Sequence, residues 1–261
     1  MKHQAKKKFG QNFLTDKNLL EKIVRLAQVK NKDVIEVGPG QGALTHFLAD
    51  VCHSVTAYEI DTSLKPFLNP LESKYNNLNI IYDDFMKIKM DIDHEAHIVA
   101  NVPYYITTPI IFKFLEHPYL KSATIMIQKE VAERIHAKPK TKAYNSLSVL
   151  LQYYTKVEKL MDVKRHMFKP APNVDSIVIK LTKKEQELLT FEEEKLFIDI
   201  VKTAFTQKRK TLVNNLSLFE NVEKSDVISY VESLGYAPNV RAEALTINDF
   251  IKITKGWLSW L

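Results

Sequence analysis

Asp33-Val34-Ile35-Glu36-Val37-Gly38-Pro39-Gly40-Gln41-Gly42-Ala43-Leu44 is the stretch on which the reading of this 261-residue chain turns. It opens as an apolar run of strand length and closes as a helical pattern, with Ala43, Leu44, Phe47 and Leu48 on one face of residues 42–50. Between the two, three of the chain's six glycines fall within five positions. Glycine there lets the backbone turn sharply and approach a ligand with no Cβ in the way, while the helix start offers free N–H groups. A purely structural glycine turn is the bland alternative. The string also satisfies G-x-G-x-x-A, the nicotinamide-dinucleotide fingerprint, and Glu59 lies about 20 residues on, where a ribose-binding acid belongs. The ligand so implied contains adenosine, Glu59 accepts hydrogen bonds from its ribose, and a dehydrogenase stays open.

Working outward, further strands read at 54–59, 79–82, 97–100 and 123–127, each followed by a helical pattern. Short strands alternating with helices predict a mostly parallel sheet with right-handed crossovers, an α/β fold. Thr108 can cap the helix expected after the fourth strand, with Pro109 at its first position, where a missing N–H costs nothing. Residues 174–181 read as a late strand with two alternating faces. Beyond the polar stretch 182–187 everything reads helical: 191–205, 208–218, 225–234, and a last helix opened by Thr246 and Asp249. The expected division is therefore an α/β domain over 1–182, with a basic N-terminal arm and an amphipathic helix at 16–28, and a small all-helical domain over 183–261.

Composition narrows the class. With 45% hydrophobic residues the chain is globular, not disordered. A single cysteine, Cys52, excludes an intramolecular disulfide and thiolate metal clusters, and points to a reducing compartment. The charges of the first eight residues are followed by no apolar stretch, so they are not read as a secretory signal. Residues 96–112 carry no Asp, Glu, Lys or Arg, but Asn101, Pro103 and Pro109 interrupt them and they are too short to span a bilayer. The expectation is a cytoplasmic protein with no membrane partner. Its net charge of +6 is unevenly spread: residues 1–30 hold 8 basic and 2 acidic side chains, 31–128 hold 7 and 12, 129–184 hold 13 and 5, and 185–261 hold 9 and 12. Two basic blocks flank an acidic one, a pattern that suits a polyanionic partner met outside the site itself; solvated lysine-rich surface would look the same.

Two further motifs stand at strand tips. In Tyr82-Asp83-Asp84-Phe85 a carboxylate can take the exocyclic amine of an adenine, and Asp84, further past the strand, is preferred to Asp83; an acidic helix cap has the same spacing. In Asn101-Val102-Pro103-Tyr104 an amide, a proline and an aromatic suit the task of holding a planar base that bears an amine. The Asn101 oxygen and a main-chain carbonyl beside Pro103 can each accept one N–H, and Tyr104 can stack on the ring. Pro103 biases Val102 to an extended conformation and so fixes the acceptors. A plain strand-end turn is the alternative.

Asn-Val-Pro-Tyr resembles the amino-methyltransferase motif of adenine N6-methyltransferases, and the chain as a whole resembles the ribosomal RNA adenine dimethylases. The segments that carry the likeness, in order, are 9–14 (Phe-Gly-Gln-Asn-Phe-Leu), 36–42, 58–61 (Tyr-Glu-Ile-Asp), 101–109, 128–131 (Gln-Lys-Glu-Val), 142–148 (Lys-Ala-Tyr-Asn-Ser-Leu-Ser), 170–176 (Pro-Ala-Pro-Asn-Val-Asp-Ser) and 204–210 (Ala-Phe-Thr-Gln-Lys-Arg-Lys). Segments 9–14 and 204–210 are nearer the small-subunit branch, whose loss gives kasugamycin resistance, than the large-subunit branch that confers macrolide resistance. Val102 departs from the Leu commoner in that branch, an apolar exchange. The resemblance implies a Rossmann-like class I methyltransferase domain plus a helical C-terminal domain, S-adenosylmethionine as cofactor in place of a nicotinamide, and cofactor contacts at Asn12, Leu14, Gly38, Glu59, Asp84 and Asn101, with Gly40 in the same loop. It implies N6,N6-dimethylation of two adjacent adenosines near the 3′ end of 16S rRNA in the small ribosomal subunit.

In that reaction Asn101 and a neighbouring carbonyl hold both amine hydrogens, catalysis is alignment and electrostatics, and the base reaches the pocket flipped or unpaired, between Tyr104 and Phe168. RNA contact is expected from Lys6, Lys7 and Lys8, from a flexible loop with Lys138, Lys140 and Lys142, and from Lys208, Arg209 and Lys210 at the opening of a helix. His94 and His97 lack a third ligand, so no metal is expected; Cys52 lies away from the strand tips, against a cysteine nucleophile. Trp257 and Trp260 are expected to pack. A monomer is expected, and a binding factor for ribosome assembly, with methylation secondary, is the alternative of another class.

Overall fold

The structure is a computed structural model that describes residue 6 and residues 12–185, 188–219 and 222–260. After a short strand β1 (Phe13–Leu14), helix α1 (Lys17–Ala27) is started by Asp16, whose carboxylate accepts the Leu19 N–H, and buries Leu20, Ile23, Val24 and Ala27 along one stripe. Gln28, in the left-handed region at φ 59°, ends it. Then β2 (Asp33–Val37), α2 (Ala43–Val51), β3 (Ser54–Tyr58), α3 (Lys65–Lys74), β4 (Leu78–Ile81), β5 (Ala96–Ala100), α4 (Tyr104–Glu116) and β6 (Leu120–Gln128) alternate. All of β2 beyond Asp33 is buried, as a strand covered on both faces must be.

After β6 come α5 (Lys129–Ile135) and α6 (Ser146–Tyr154), and then β7 (Thr155–Val163), β8 (Phe168–Lys169) and β9 (Ser176–Lys183). The main sheet has seven strands in the order β4-β3-β2-β5-β6-β9-β7. Its pairs from β4 to β6 are parallel, and β9 runs antiparallel to β6, with Ile125 opposite Ile179. The chain leaves β2 for β3 on one side, while β5 lies on the other, so a crevice opens beyond the carboxyl ends of β2 and β5. A separate two-stranded sheet pairs β1 with β8, Leu14 opposite Phe168.

The sequence reading is corrected at three places. Helix α4 begins at Tyr104, directly after Pro103, and Pro109 lies inside it. An interior proline costs about 3 kcal/mol, but Ile110, Ile111 and Phe114 are fully buried just beyond it, and each contributes about 1.5–3 kcal/mol by leaving water, so the helix runs on. The second correction concerns residues 133–155. The chain divides into one unit of Met1–Ala132 with Lys156–Lys183 and another of Glu133–Thr155 with Lys184–Leu261, whereas the sequence reading gave 133–155 to the α/β domain. The cause is the apolar face of α6: Val149, Leu150 and Leu151 are buried, and the Tyr153 ring centroid lies 4.5 Å from that of Phe197 in α7 (Phe191–Ala204). The third is β7, which no periodicity announced.

The rest of the second unit is α8 (Leu212–Leu216), α9 (Lys224–Ser233) and α10 (Ile247–Trp260). Thr246 and Asp249 cap α10 reciprocally, and Trp257 is fully buried against the rings of Tyr230, Phe219 and Trp260. Among the described residues no helix is long and apolar enough to cross a membrane.

Candidate functional site

The α/β unit carries a cavity of about 260 Å³ beyond the carboxyl ends of β2, β3 and β5. Every residue the sequence nominated for chemistry or cofactor contact lines it: Asn12, Leu14, Gly38, Gly40, Glu59, Asp84, Asn101, Pro103, Tyr104 and Phe168. These come from segments far apart in the chain, brought together by the strand order and by the β1·β8 pair.

The glycine loop is shaped for close approach. Gly38, Gly40 and Gly42 have φ of 69°, 62° and 81°, the left-handed region that disfavours a side chain. A Cβ at Gly40 would stand 3.0 Å from the Phe13 ring, and one at Gly42 would run into Leu71. Glu59, at the tip of β3 and buried, braces the loop: its Oε2 accepts the Gly40 N–H at 3.0 Å and its Oε1 the Asp61 N–H at 2.8 Å. Burial pushes its pKa up, and those two backbone donors pull the other way. A carboxylate oxygen has room for a further donor, so both oxygens can still accept from hydroxyls of a ligand.

Glu36, one residue before Val37 at the tip of β2, also lines the cavity and is buried. Its Oε2 has no hydrogen-bond partner among the described residues. Burial, with the charge of Glu59 nearby, pushes its pKa up to about 8. Sequence reasoning missed it as a site group. It also missed Ile60 and Tyr105, which line the cavity while 50% and 64% exposed. For Ile60 the signal was available: an aliphatic side chain directly after a strand-tip acid has no core to enter, and offers a flat apolar surface beside Glu59.

Past β4, Asp83 is exposed and Asp84 half-buried, and both line the cavity. Asp84 Oδ1 accepts the Met86 N–H at 3.0 Å, and Lys113 of α4 donates to the carbonyls of Phe85 and Ile88 at 2.5 and 2.6 Å, fastening the loop that carries Asp84 to the helix that Tyr104 begins. Asn101 follows β5 directly. The Tyr104 hydroxyl is bonded to that of Ser176 on β9 at 2.7 Å. Phe168 needs correction as a free stacking face: it is 3% exposed, held by β1·β8 pairing against Leu14, so most of its ring is core.

The family described as ribosomal RNA adenine dimethylase matches residues 2–257. The chain belongs to this family. Among curated members, proteins named ribosomal RNA small subunit methyltransferase A from Aster yellows witches'-broom phytoplasma and Onion yellows phytoplasma are 49% and 50% identical to it, covering 100% and 98% of this chain and 99% and 97% of their own. A crystal structure of a dimethyladenosine transferase from Plasmodium falciparum superposes with TM-score 0.81 at 29% identity, over 95% of this chain and 98% of that one. The 23S rRNA methyltransferase ErmE gives TM-score 0.72 at 26% identity, over 94% and 99%. The fold is thus the Rossmann-like methyltransferase fold, and the enzyme class that of the rRNA adenine dimethyltransferases.

The basic residues nominated for RNA fare differently from the cavity set in this dimethylase. Lys7 and Lys8 lie outside the described residues. Lys6 reaches Asp61 Oδ1 at 2.7 Å and Ser63 Oγ at 2.6 Å, beside the Glu59 brace, so its charge is engaged within the protein. Lys138, Lys140 and Lys142 are exposed in the second unit. Their loop, expected to be flexible, is cross-bonded: the Thr141 hydroxyl donates to the Lys138 carbonyl at 2.7 Å and the Lys140 N–H to the Glu243 carbonyl at 2.6 Å. Lys208, Arg209 and Lys210 are exposed too, but they form a turn before α8, which starts only at Leu212 with Thr211 as its cap. Among the described residues no group of three or more His, Cys, Asp or Glu is placed to hold a metal; His97 bonds Ser122 at 2.8 Å. Cys52 is buried, its thiol pushed up to about 12 by burial, which removes it as a nucleophile.

Proposed function

We propose that this protein transfers methyl groups from S-adenosylmethionine to N6 of two adjacent adenosines near the 3′ end of 16S rRNA in the small ribosomal subunit, as a cytoplasmic monomer acting in subunit biogenesis. The observation that carries the reading is that Asn101-Val102-Pro103-Tyr104 opens onto the same cavity as the glycine loop and Glu59. The residues present fit the cofactor. Gly38 and Gly40 line the cavity with backbone, Glu59 can accept from ribose hydroxyls, Ile60 offers a surface for a ring, and Asp84 can accept from an adenine amine. S-adenosylmethionine, when bound, supplies a methyl group made electrophilic by a positively charged sulfur.

The chain's own part is to make a poor nucleophile usable. The amine lone pair of adenine is delocalised into the ring; acceptors on both its hydrogens, from Asn101 and a main-chain carbonyl by Pro103, favour a pyramidal nitrogen whose lone pair is free. Tyr104 holds the ring by stacking, and the proton released when the N–C bond forms passes to water. No side chain bonds covalently to substrate. In this reading the exposed lysines and arginine at 138, 140, 142 and 208–210 meet rRNA phosphates.

The small-subunit branch is favoured over the large-subunit one by the identity of 43–50% to relatives named for the small subunit, against 26% to the 23S enzyme. The test is tritiated methyl transfer to immature small subunits, naked 16S rRNA and large-subunit rRNA, with mass mapping of the product. Dimethyladenosine near the 3′ end of small-subunit RNA is expected; label confined to large-subunit RNA, or none, overturns the proposal.

A further inference from the structure

The segment that carries Phe168 into the cavity also carries an exposed cationic strip that the charge blocks in the sequence did not single out. Lys164, Arg165, His166 and Lys169 are all exposed, and all lie within four residues of Phe168. Asp175 fastens this strip in place. Its Oδ2 lies 3.0 Å from Lys164 Nζ, its Oδ1 accepts the Arg165 backbone N–H at 3.0 Å, and its carbonyl accepts the Lys129 N–H at 3.1 Å, while the Arg165 guanidinium reaches the Asn173 carbonyl at 3.4 Å. Of the three permanent cations in the strip, Lys164 alone pairs its side chain with the Asp175 carboxylate. Among the described residues the Arg165 guanidinium meets one acceptor, the Asn173 carbonyl, which leaves most of its five donors for a ligand, and Lys169 has no acidic partner.

A base that enters the cavity must leave its stack, and its own sugar and flanking phosphates then lie at the cavity mouth. Side chains that meet those phosphates have to belong to the segments that form the mouth. The basic clusters 138–142 and 208–210 belong to the second unit, and Lys6 is engaged by Asp61, whereas 164–169 is continuous with the cavity-lining Phe168. We propose that segment 164–169 is a phosphate-binding rim, in which Arg165 and Lys169 hold the backbone phosphates beside the adenosine whose base occupies the cavity. Arginine suits this position because its planar fork can take two oxygens of one phosphate. The pre-bonded loop lowers the ordering cost of that interaction. The inference rests on the proposed rRNA methylation.

Two double variants test it: Arg165→Gln with Lys169→Gln, which removes the charges, and Arg165→Lys with Lys169→Arg, which keeps them. Lys164 is left alone, because it holds Asp175. The readout is kcat/KM for methyl transfer to small subunits across a salt series, beside Kd for S-adenosylmethionine. The neutral pair is expected to lower kcat/KM at low salt by at least about tenfold and to flatten the log–log salt slope by about two, roughly one for each phosphate that is no longer neutralised. The charge-keeping pair is expected to retain the parent slope, with cofactor affinity unchanged in both. A parent slope in the neutral pair, or the same flattening in the charge-keeping pair, overturns the rim. Fluorescence anisotropy of a single-stranded oligoadenosine RNA repeats the salt series without turnover. A flattened slope there, in a protein whose parent form does not methylate small subunits, supports the rim and overturns the function instead.

Discussion

The hydroxyls of Tyr104 and Ser176 lie 2.7 Å apart, joining the first residue of α4 to the first residue of β9. Ser176 is fully buried, and burial pushes the Tyr104 phenol above its ordinary range, so the bond is between two neutral groups shielded from water. It fixes the tilt of the one aromatic ring in the Asn101 motif. Tyr104→Phe and Ser176→Ala should each lower kcat about fivefold, the value of about 1 kcal/mol for one such bond. Combined, they should cost no more than either alone. Kinetics of the three variants, with Tyr104→Ala as the reference for loss of stacking, check this; additive losses would show that the two hydroxyls act independently.

Gly40 and Gly42 share a backbone conformation but should fail differently when substituted. Gly40→Ala puts a Cβ 3.0 Å from Phe13, strains a φ of 62° by about 1–2 kcal/mol, and disturbs the N–H that Glu59 accepts. Its expected signature is a cofactor Kd raised tenfold or more with a modest fall in melting temperature. Gly42→Ala instead drives into Leu71 and Leu68, which pack beneath the loop. There the melting temperature should fall by more than in Gly40→Ala. Calorimetric titration with S-adenosylmethionine and thermal melts of both variants make the comparison.

Glu36 gives a pH dependence with a definite sign. Its folded pKa of about 8 stands above that of an unfolded carboxyl, so the folded protein keeps a proton that the unfolded chain gives up. The stability from this group is complete below the unfolded pKa, near 4.3, and is lost progressively as pH rises through the folded value near 8. Glu36→Gln keeps the shape without the ionisation. Its melting temperature should approach that of the parent at pH 4 and exceed it increasingly toward pH 8. Parallel melting curves that do not diverge with pH would assign the proton elsewhere.

What was legible in the sequence follows from where the signals are local. The parallel strands and the helices α1, α2, α7, α9 and α10 came from short-range periodicity and caps, and Gly38, Gly40, Glu59, Asp84, Asn101, Pro103 and Tyr104 from motifs that sit at strand tips by topology, whereas Asn12 and Leu14 were legible only through the family resemblance. The misses are long-range. Strand β7 carries Lys156, Glu158, Lys159 and Asp162 at the sheet's edge, with Lys156 paired to Glu158 at 3.1 Å, so it alternates charge with half-buried residues and shows no apolar run. Phe168 reads as a free aromatic until β8 is seen to pair with β1. Residues 133–155 look like a continuation of the α/β pattern until Tyr153 meets Phe197, 44 positions away. Glu36 passed as a strand residue because no spacing distinguishes a buried acid with one idle oxygen from a satisfied one.

Asn101 bears the sharpest prediction, because two substitutions separate its possible roles. It directly follows Ala100, the last residue of β5, which is paired in register with Val37 on one side and Ile125 on the other, so its backbone leaves from a strand held on both edges. If its task is to accept an amine hydrogen, Asn101→Ala removes the acceptor and should abolish transfer, with cofactor binding partly kept. Asn101→Asp keeps an acceptor of the same size and loses only the amide donor; it should retain measurable transfer, reduced by the cost of holding a charge in a half-enclosed site. Single-turnover assays on small subunits with saturating S-adenosylmethionine rank the three proteins. Near-parent rates in Asn101→Ala sink the role altogether. Equal, complete loss in both variants would mean that the amide N–H, donating to substrate or backbone, matters more than the oxygen.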